Sequence, residues 1–290
     1  MTPAPITEHF VRAPGHETFY LQCGPDDGPL IVFVHGWPEL SLSWRHVLPC
    51  FGAMGFRAVA PDMRGYGRSA APRERHDAYA QEQVVGDMLA LVDALGVDKA
   101  VWVGHDWGSP TVWNIASHHP ERCHAVASLC IPYRTVELGM ENLVTLVDRN
   151  VYPEDRFPWG QWAYMQFYRE HFERATSVFD ADPRALIQTI FRRGKPAHLG
   201  TLSPNARMME DNGWFGGAER APDLPRDHAV LSEAELCAYA EALARNSFFG
   251  PDSYYMNDAA NRAYAERAVN GGRLDMPVLF IAGRYDVACE

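Results

Sequence analysis

The stretch Gly104–Ser109 constrains the fold of this chain more than any other part of the sequence. It follows the apolar run 99–103, which predicts a buried strand, and it precedes residues 110–116, which predict the first turns of a helix. A strand, a sharp turn with a glycine two positions from its apex on either side, and a helix together form a nucleophile elbow. Glycine is favoured at both places because a Cβ there would clash with neighbouring backbone. The residue at the apex of this turn is Asp106.

An aspartate at the apex decides which chemistry the turn could support. A carboxylate suits attack on a saturated, electrophilic carbon, and the product of that attack is an ester between enzyme and substrate. Water must then hydrolyse the ester. The pattern therefore favours opening of an epoxide or displacement of a halide. The alternative is that Asp106 only caps the following helix, which is a common position for aspartate.

Composition excludes several other classes of protein. The 290 residues are 47% hydrophobic and 22% charged, which is typical of a soluble globular enzyme. A formal net charge of -11 argues against a nucleic-acid or anionic-membrane partner. The first residues lack the pattern of a signal peptide, and no apolar run is long enough to span a bilayer. The six cysteines have no C-x-x-C spacing, so they predict a reducing, cytoplasmic environment and neither a disulfide framework nor a zinc site.

Predicted strands and helices alternate along the first part of the chain. Two short segments near the N-terminus predict an antiparallel hairpin at a sheet edge, and the later apolar runs predict parallel strands. Strands are predicted at 8–11, 18–21, 30–34, 56–60, 99–103 and 125–130, and helices from 43, over 78–96 and from 110. This alternation predicts an α/β fold whose mostly parallel sheet has helices on both faces.

The alternation breaks near residue 134. The following segment is rich in aromatic residues and contains no convincing buried strand, so it predicts a helical lid inserted between two strands. The sheet resumes at 277–282. We therefore expect an α/β core over 1–134, a helical lid over 135–272, and the resumed core over 273–290.

Several motifs carry a resemblance to a known family. They are His35-Gly36-Trp37-Pro38-Glu39, the loop 62–69, the elbow 104–108, and the lid segments 164–168 and 249–255. Together these pieces resemble the soluble epoxide hydrolase family of the α/β-hydrolase fold, and the resemblance covers nearly the whole chain. It implies hydrolysis of an apolar epoxide to a vicinal diol, with water as the second reactant and with no cofactor and no metal.

The resemblance also implies roles for individual residues. Tyr164 and Tyr255 would grip the oxirane oxygen, polarise the C–O bond and deliver a proton. Backbone N–H groups of Trp37 and Trp107 would form an oxyanion hole for the ester intermediate, and their side chains would wall the substrate site. Asp106 would be the nucleophile.

Each of these roles has a structural alternative. Burial of the aromatic ring is the commoner function of a lid tyrosine, and Tyr152 and Tyr168 compete with Tyr164 for the first of the two phenol roles. Trp37 and Trp107 also fit ordinary core aromatics. The aromatic lid favours an aryl or alkyl epoxide, because small-molecule pockets are usually lined in this way.

The hydrolytic step of the family needs an acid and then a histidine after the nucleophile. Asp286, which follows the strand at 277–282, fits the acid that orients the imidazole, although a polar loop residue is the alternative. All twelve histidines precede Asp286, and we expect His35 and His105 to support turns. We therefore expect the chain to end before the family's last strand, helix and catalytic histidine, and to form the ester without hydrolysing it.

Two other functions compete with epoxide hydrolysis. A dehalogenase of the same fold would also use an aspartate elbow, and Trp107 could donate its indole N–H to a halide. Two features argue against a dehalogenase. Trp37 stands where such enzymes usually carry asparagine, and the two lid tyrosines would have no role at a halide. A ligand binder without turnover is supported only by the absent histidine. A serine esterase is excluded because Ser109 lies at the start of the helix, away from the apex.

Overall fold

A seven-stranded sheet forms the centre of the protein in the computed structural model, which describes residues 5–13, 15–73, 75–198 and 200–286. Its strand order is β1-β2-β4-β3-β5-β6-β7. The strands are β1 (Thr7–Ala13), β2 (His16–Cys23), β3 (Leu30–Val34), β4 (Arg57–Pro61), β5 (Ala100–His105), β6 (Cys123–Leu129) and β7 (Val278–Ile281). β1 pairs antiparallel with β2, and β2 pairs antiparallel with β4. The remaining pairings are parallel, so the predicted edge hairpin and mostly parallel sheet are confirmed.

Helices separate β3 from β4, β4 from β5 and β5 from β6, and a long helical segment lies between β6 and β7. The helices are α1 (Leu48–Ala53), α2 (Gln81–Ala94), α3 (Gly108–His118), α4 (Met140–Val144), α5 (Ala163–Ala181), α6 (Pro183–Ile190), α7 (Glu233–Asn246), α8 (Phe249–Ser253) and α9 (Asp258–Glu266). The described residues between β6 and β7 contain no strand. Within the described ranges, no helix is long and apolar enough to cross a membrane.

Two predicted helix starts were wrong by three residues or more. The helix predicted from residue 43 is a 3₁₀ turn over Ser41–Trp44, and the α-helix begins only at Leu48, with Pro49 in its first turn. Proline has no N–H to continue a preceding helix, so the chain must start a new one there. The helix predicted from residue 78 begins at Gln81, because Ala80 has an extended backbone that separates α2 from the 3₁₀ turn before it.

The central strand β3 shows how the two layers form. All five of its residues are buried. Alternate side chains point to opposite faces of a sheet, so Val32 and Val34 join the core that contains α2 and α3, and Ile31 and Phe33 join a second core with Leu48 of α1. The helical segment between β6 and β7 packs on the first of these cores. The predicted fold class, a mostly parallel sheet flanked by helices, is therefore confirmed.

Candidate active site

The turn between β5 and α3 has the geometry of an elbow. Asp106 has a φ of 50°, in the left-handed region, which non-glycine residues adopt rarely. A Cβ added to Gly104 would lie 2.3 Å from the carbonyl oxygen of Gly108, and one added to Gly108 would lie 2.2 Å from the carbonyl oxygen of Val34. Both glycines are therefore required by close backbone approach. No side chain caps α3, so helix capping does not account for Asp106.

The side chain of Asp106 is half-buried and lies against backbone groups. Its Oδ1 accepts a hydrogen bond from the N–H of Trp37 at 2.6 Å, and the backbone N–H of the adjacent Trp107 also favours the ionised form of the carboxyl group. Gly36 lies directly against this carboxylate, since an added Cβ would be 2.3 Å from Oδ1. Burial raises the pKa of Asp106, and the charge of His105 and the two N–H groups offset only part of that rise.

Tyr164 and Tyr255 lie beside each other over this carboxylate. Tyr164 belongs to the first turn of α5, and Tyr255 to the 3₁₀ turn Tyr254–Met256 that follows α8. Their ring centroids are 5.5 Å apart with the ring planes at 79°. Burial raises the pKa of Tyr255 well above its ordinary value, and the neighbouring Tyr164 and Asp106 add smaller increases. The Tyr255 phenol therefore stays protonated over the range in which proteins function.

A small cavity joins the carboxylate to the two phenols. It is lined by Asp106, Trp107, Pro110, Ile131, Val136, Trp162, Tyr164, Met165 and Tyr255. Apart from the carboxylate and the phenol oxygens the lining is mainly apolar, which suits an apolar ligand with one reactive polar centre. No sequence motif pointed to Ile131 and Val136. Their position just after β6, at the carboxyl end of the parallel strands, was a usable signal for them.

Two other tyrosines were alternatives to Tyr164, and neither lines this cavity. The ring of Tyr168 stacks on the ring of Tyr255, with centroids 4.7 Å apart and planes at 10°. The hydroxyl of Tyr152 accepts a hydrogen bond from the N–H of Ser203 at 3.2 Å. Of the three candidates, Tyr164 is therefore the one that faces Asp106 across the cavity.

Two histidines near the elbow are engaged in hydrogen bonds. The Nδ1 of His105 lies 2.8 Å from the Oε2 of Glu39, which also accepts the N–H of Gly36 at 3.2 Å. Burial lowers the pKa of His105, but the charge of Glu39 together with the hydrogen bonds to Cys130 and Glu39 outweighs burial, and the pKa is raised well above its usual value. The Nε2 of His35 accepts the N–H of Met63 at 2.9 Å, and its Nδ1 donates to the carbonyl oxygen of Gly36 at 2.9 Å. A protonated His105 and a His35 that braces two turns are both poor candidates for a general base.

Two predicted site residues stand apart from the cavity. The side chain of Trp37 is not among the lining residues, because its indole N–H donates to the buried carboxyl of Asp252 at 2.8 Å. Trp37 therefore reaches Asp106 only through its backbone. Asp286 lies half-buried in the turn after β7, where its N–H donates to the carbonyl oxygen of Gly283 at 3.2 Å, and it does not line the cavity either. Among the described residues, no cluster of histidine, cysteine and acidic side chains is arranged to hold a metal ion.

Comparison with known proteins identifies the family of this chain. Residues 29–287 match the α/β hydrolase fold family. Epoxide hydrolase A of Mycobacterium tuberculosis is 32% identical over 284 residues, which cover 97% of this chain and 82% of that protein. Bifunctional epoxide hydrolase 2 of Sus scrofa is 30% identical over 286 residues, which cover 98% of this chain and 48% of that longer protein.

Solved structures agree with these relatives. The crystal structure of Epoxide Hydrolase A from Mycobacterium thermoresistibile superposes with a TM-score of 0.77 and 30% identity, covering 98% of this chain and 84% of that one. An epoxide hydrolase from an endophytic Streptomyces superposes with a TM-score of 0.76 and 31% identity, covering 98% of this chain and 81% of that one. The chain therefore belongs to the α/β-hydrolase fold family, and within that family to the epoxide hydrolases.

Proposed function

We propose that this protein hydrolyses apolar epoxides to vicinal diols through a covalent ester on Asp106. One observation carries the proposal: a half-buried aspartate at the apex of the elbow shares a mainly apolar cavity with two phenols. A carboxylate can attack a saturated carbon, and the phenols can stabilise the negative charge that develops on the oxirane oxygen. We further propose that the helical segment over 135–272 acts as the lid of this cavity.

In the first step a carboxylate oxygen of Asp106 attacks one oxirane carbon, and the C–O bond to that carbon breaks. The electron pair of that bond moves to the oxirane oxygen, which would otherwise become a free alkoxide. Hydrogen bonds from Tyr164 and Tyr255 stabilise this oxygen, and one phenol transfers its proton to it. The raised pKa of Tyr255 supports this role, because the proton is retained until the much more basic alkoxide forms.

In the second step water attacks the carbonyl carbon of the ester, and negative charge develops on a carboxyl oxygen of Asp106. The N–H of Trp37 already donates to this carboxyl group in the resting state, and the N–H of the adjacent Trp107 favours its ionised form, which supports both N–H groups as the ones that stabilise that charge. Collapse of the intermediate breaks the ester C–O bond to the substrate. Of the two protons of the water, one goes to the departing alkoxide, which completes the diol, and the other returns to the phenolate left by the first step, so the carboxylate and the phenol are both restored. We propose Asp286, at the end of β7, as the acid that would orient an imidazole in this step. The hydrogen bonds of His35 and His105 leave neither of them suited to act as the base.

The test is to mix the protein with styrene oxide and follow two products: the mass of the peptide that contains Asp106, and the amount of diol. Ring opening at Asp106 predicts either a stable added mass on that peptide or release of diol. The sum of labelled peptide and diol, followed over time, gives the rate of ring opening. The share of that sum that is diol shows how fast the ester is hydrolysed. Folded protein that yields neither product, or that labels only with a 1-bromoalkane and releases bromide, would contradict the proposal.

Ring opening should also depend on pH through Asp106. The attacking group must be ionised, and burial raises its pKa above that of an ordinary aspartate, about 3.9. We therefore expect the single-turnover rate of ring opening to fall on acidification at a higher pH than an exposed aspartate would give. The rate is measured from about pH 8 down to about pH 4, and the acid-catalysed background is subtracted with an Asp106→Asn variant. A rate that stays constant across this range would contradict the assignment.

A further inference from the structure

We propose that Asp252 is a positioning residue for ring opening, and that it acts by fixing Trp37 and Tyr168 behind the reacting groups. This inference rests on the function proposed above. Asp252 lies in α8, three positions before Tyr255, and it has no exposed surface. It does not line the cavity, so its carboxyl group would act through its neighbours.

Three donors converge on this carboxyl group. Its Oδ1 accepts the indole N–H of Trp37 at 2.8 Å and the hydroxyl of Tyr168 at 3.0 Å. Its Oδ2 accepts the hydroxyl of Thr176 at 2.9 Å. Burying a carboxyl group is costly unless hydrogen bonds compensate, and here each oxygen is satisfied. The carboxyl group thus ties the loop after β3 to α5 and α8.

Two of these partners touch the reacting groups. Trp37 donates its backbone N–H to Oδ1 of Asp106 and its indole N–H to Oδ1 of Asp252. The hydrogen bond to Asp252 therefore fixes the position of Trp37, and Trp37 in turn holds the carboxylate of Asp106. The ring of Tyr168 stacks on the ring of Tyr255, so the hydrogen bond to its hydroxyl fixes the surface behind the second phenol. Oδ1 of Asp252 therefore sets the relative position of the nucleophile and the acid.

A neutral carboxyl group can make the same contacts. Burial raises the pKa of Asp252 to about 8, although the hydrogen bonds from Thr176, Trp37 and Tyr168 oppose the rise. In the protonated form Oδ1 still accepts from Trp37 and Tyr168, and the Oδ2 hydroxyl can donate to Thr176. Asparagine has the same arrangement of one acceptor and one donor. Leucine has neither, and would leave the donors of Trp37 and Tyr168 unpaired.

The experiment compares single-turnover ring opening of styrene oxide by Asp252→Leu, Asp252→Asn and the unmodified chain. We expect the rate at saturating epoxide to fall about tenfold in Asp252→Leu and to stay within about threefold in Asp252→Asn. The epoxide concentration that gives half the maximal rate should not change in either variant, because Asp252 does not touch the cavity. Trp37→Phe should slow ring opening to a similar extent as Asp252→Leu, and it serves as the second variant if Asp252→Leu does not fold.

Thr176→Val is the matched control. It also removes a buried hydrogen bond to Asp252, but Thr176 contacts Oδ2, away from the oxygen that holds Trp37 and Tyr168. We expect a lower thermal midpoint and a rate of ring opening within about twofold of the unmodified chain. If both Asp252→Leu and Trp37→Phe open the epoxide at the unmodified rate per folded molecule, Asp252 is only structural and the inference is wrong. If the unmodified chain does not label Asp106 at all, the proposed function itself has failed.

Discussion

Asp106→Asn is expected to abolish formation of the styrene oxide ester, with a loss on the order of 10³-fold or more in the rate of ring opening. An amide of nearly the same shape fits between Gly36 and the N–H of Trp37, but it cannot attack the oxirane carbon. The peptide that contains residue 106 should then keep its unmodified mass, and no diol should form above the background. The measurement is intact and peptide mass spectrometry over a time course, with diol quantified in the same samples.

The same variant should fold at least as stably as the unmodified chain. Burial raises the pKa of Asp106 above its value in the unfolded chain, so the ionised carboxylate makes the fold less stable as the pH rises through that interval. Asparagine removes this effect, and the thermal midpoint at neutral pH should be equal or higher. Asp98→Asn, at an exposed position, is the matched control and should keep full ester formation. An Asp106→Asn protein that is folded and still labels would show that another group is the nucleophile.

Replacing both Tyr164 and Tyr255 with phenylalanine is expected to have the second largest effect. General acid assistance is typically worth about 10²–10⁴-fold, and the double variant has no phenol left to stabilise the oxirane oxygen. We expect about 10²-fold slower ring opening for either single variant and about 10⁴-fold for the double variant. The half-saturating concentration of styrene oxide should change much less than the maximal rate, because the rings still line the cavity. Single-turnover mass spectrometry at several concentrations separates these two quantities.

Tyr152→Phe provides the control for the tyrosine variants. Its hydroxyl accepts the N–H of Ser203, and its side chain lies outside the cavity, so its loss should lower stability and leave ring opening unchanged. If the double variant opened styrene oxide as fast as Tyr152→Phe, the phenols would have only a packing role. Epoxide activation would then have to come from another donor.

The elbow and the sheet could be predicted because their signals are local. An apolar run such as 30–34 specifies a buried strand wherever it lies, and the spacing of Gly104, Asp106 and Gly108 specifies a sharp turn before a helix. The two lid tyrosines came from a resemblance in short motifs. The structure then brings Tyr164, from the start of α5, and Tyr255, after α8, to one cavity.

The contacts behind the site could not be predicted in the same way. Trp37 and Asp252 are 215 positions apart in the chain, and their hydrogen bond depends on how the segment between β6 and β7 packs on the sheet. No local pattern distinguishes a buried aspartate in a Gly-Pro-Asp segment from an exposed turn residue. For the same reason the ring of Trp37 was expected to face the ligand, although the carboxyl group of Asp252 draws its indole away from the cavity.

The two apolar cores on opposite faces of the sheet can be engineered for different properties. Six of the residues that line the cavity belong to the core shared by α2, α3 and the helices between β6 and β7: Trp107, Ile131, Val136, Trp162, Met165 and Tyr255. The other core, around Phe33, Trp44 and Leu48, contains none of them. Substitutions that raise thermal tolerance can therefore be sought on that second face with little risk to the chemistry. Changes in substrate preference must be sought on the first face, where any change in the shape of the cavity also changes the packing of the core around it.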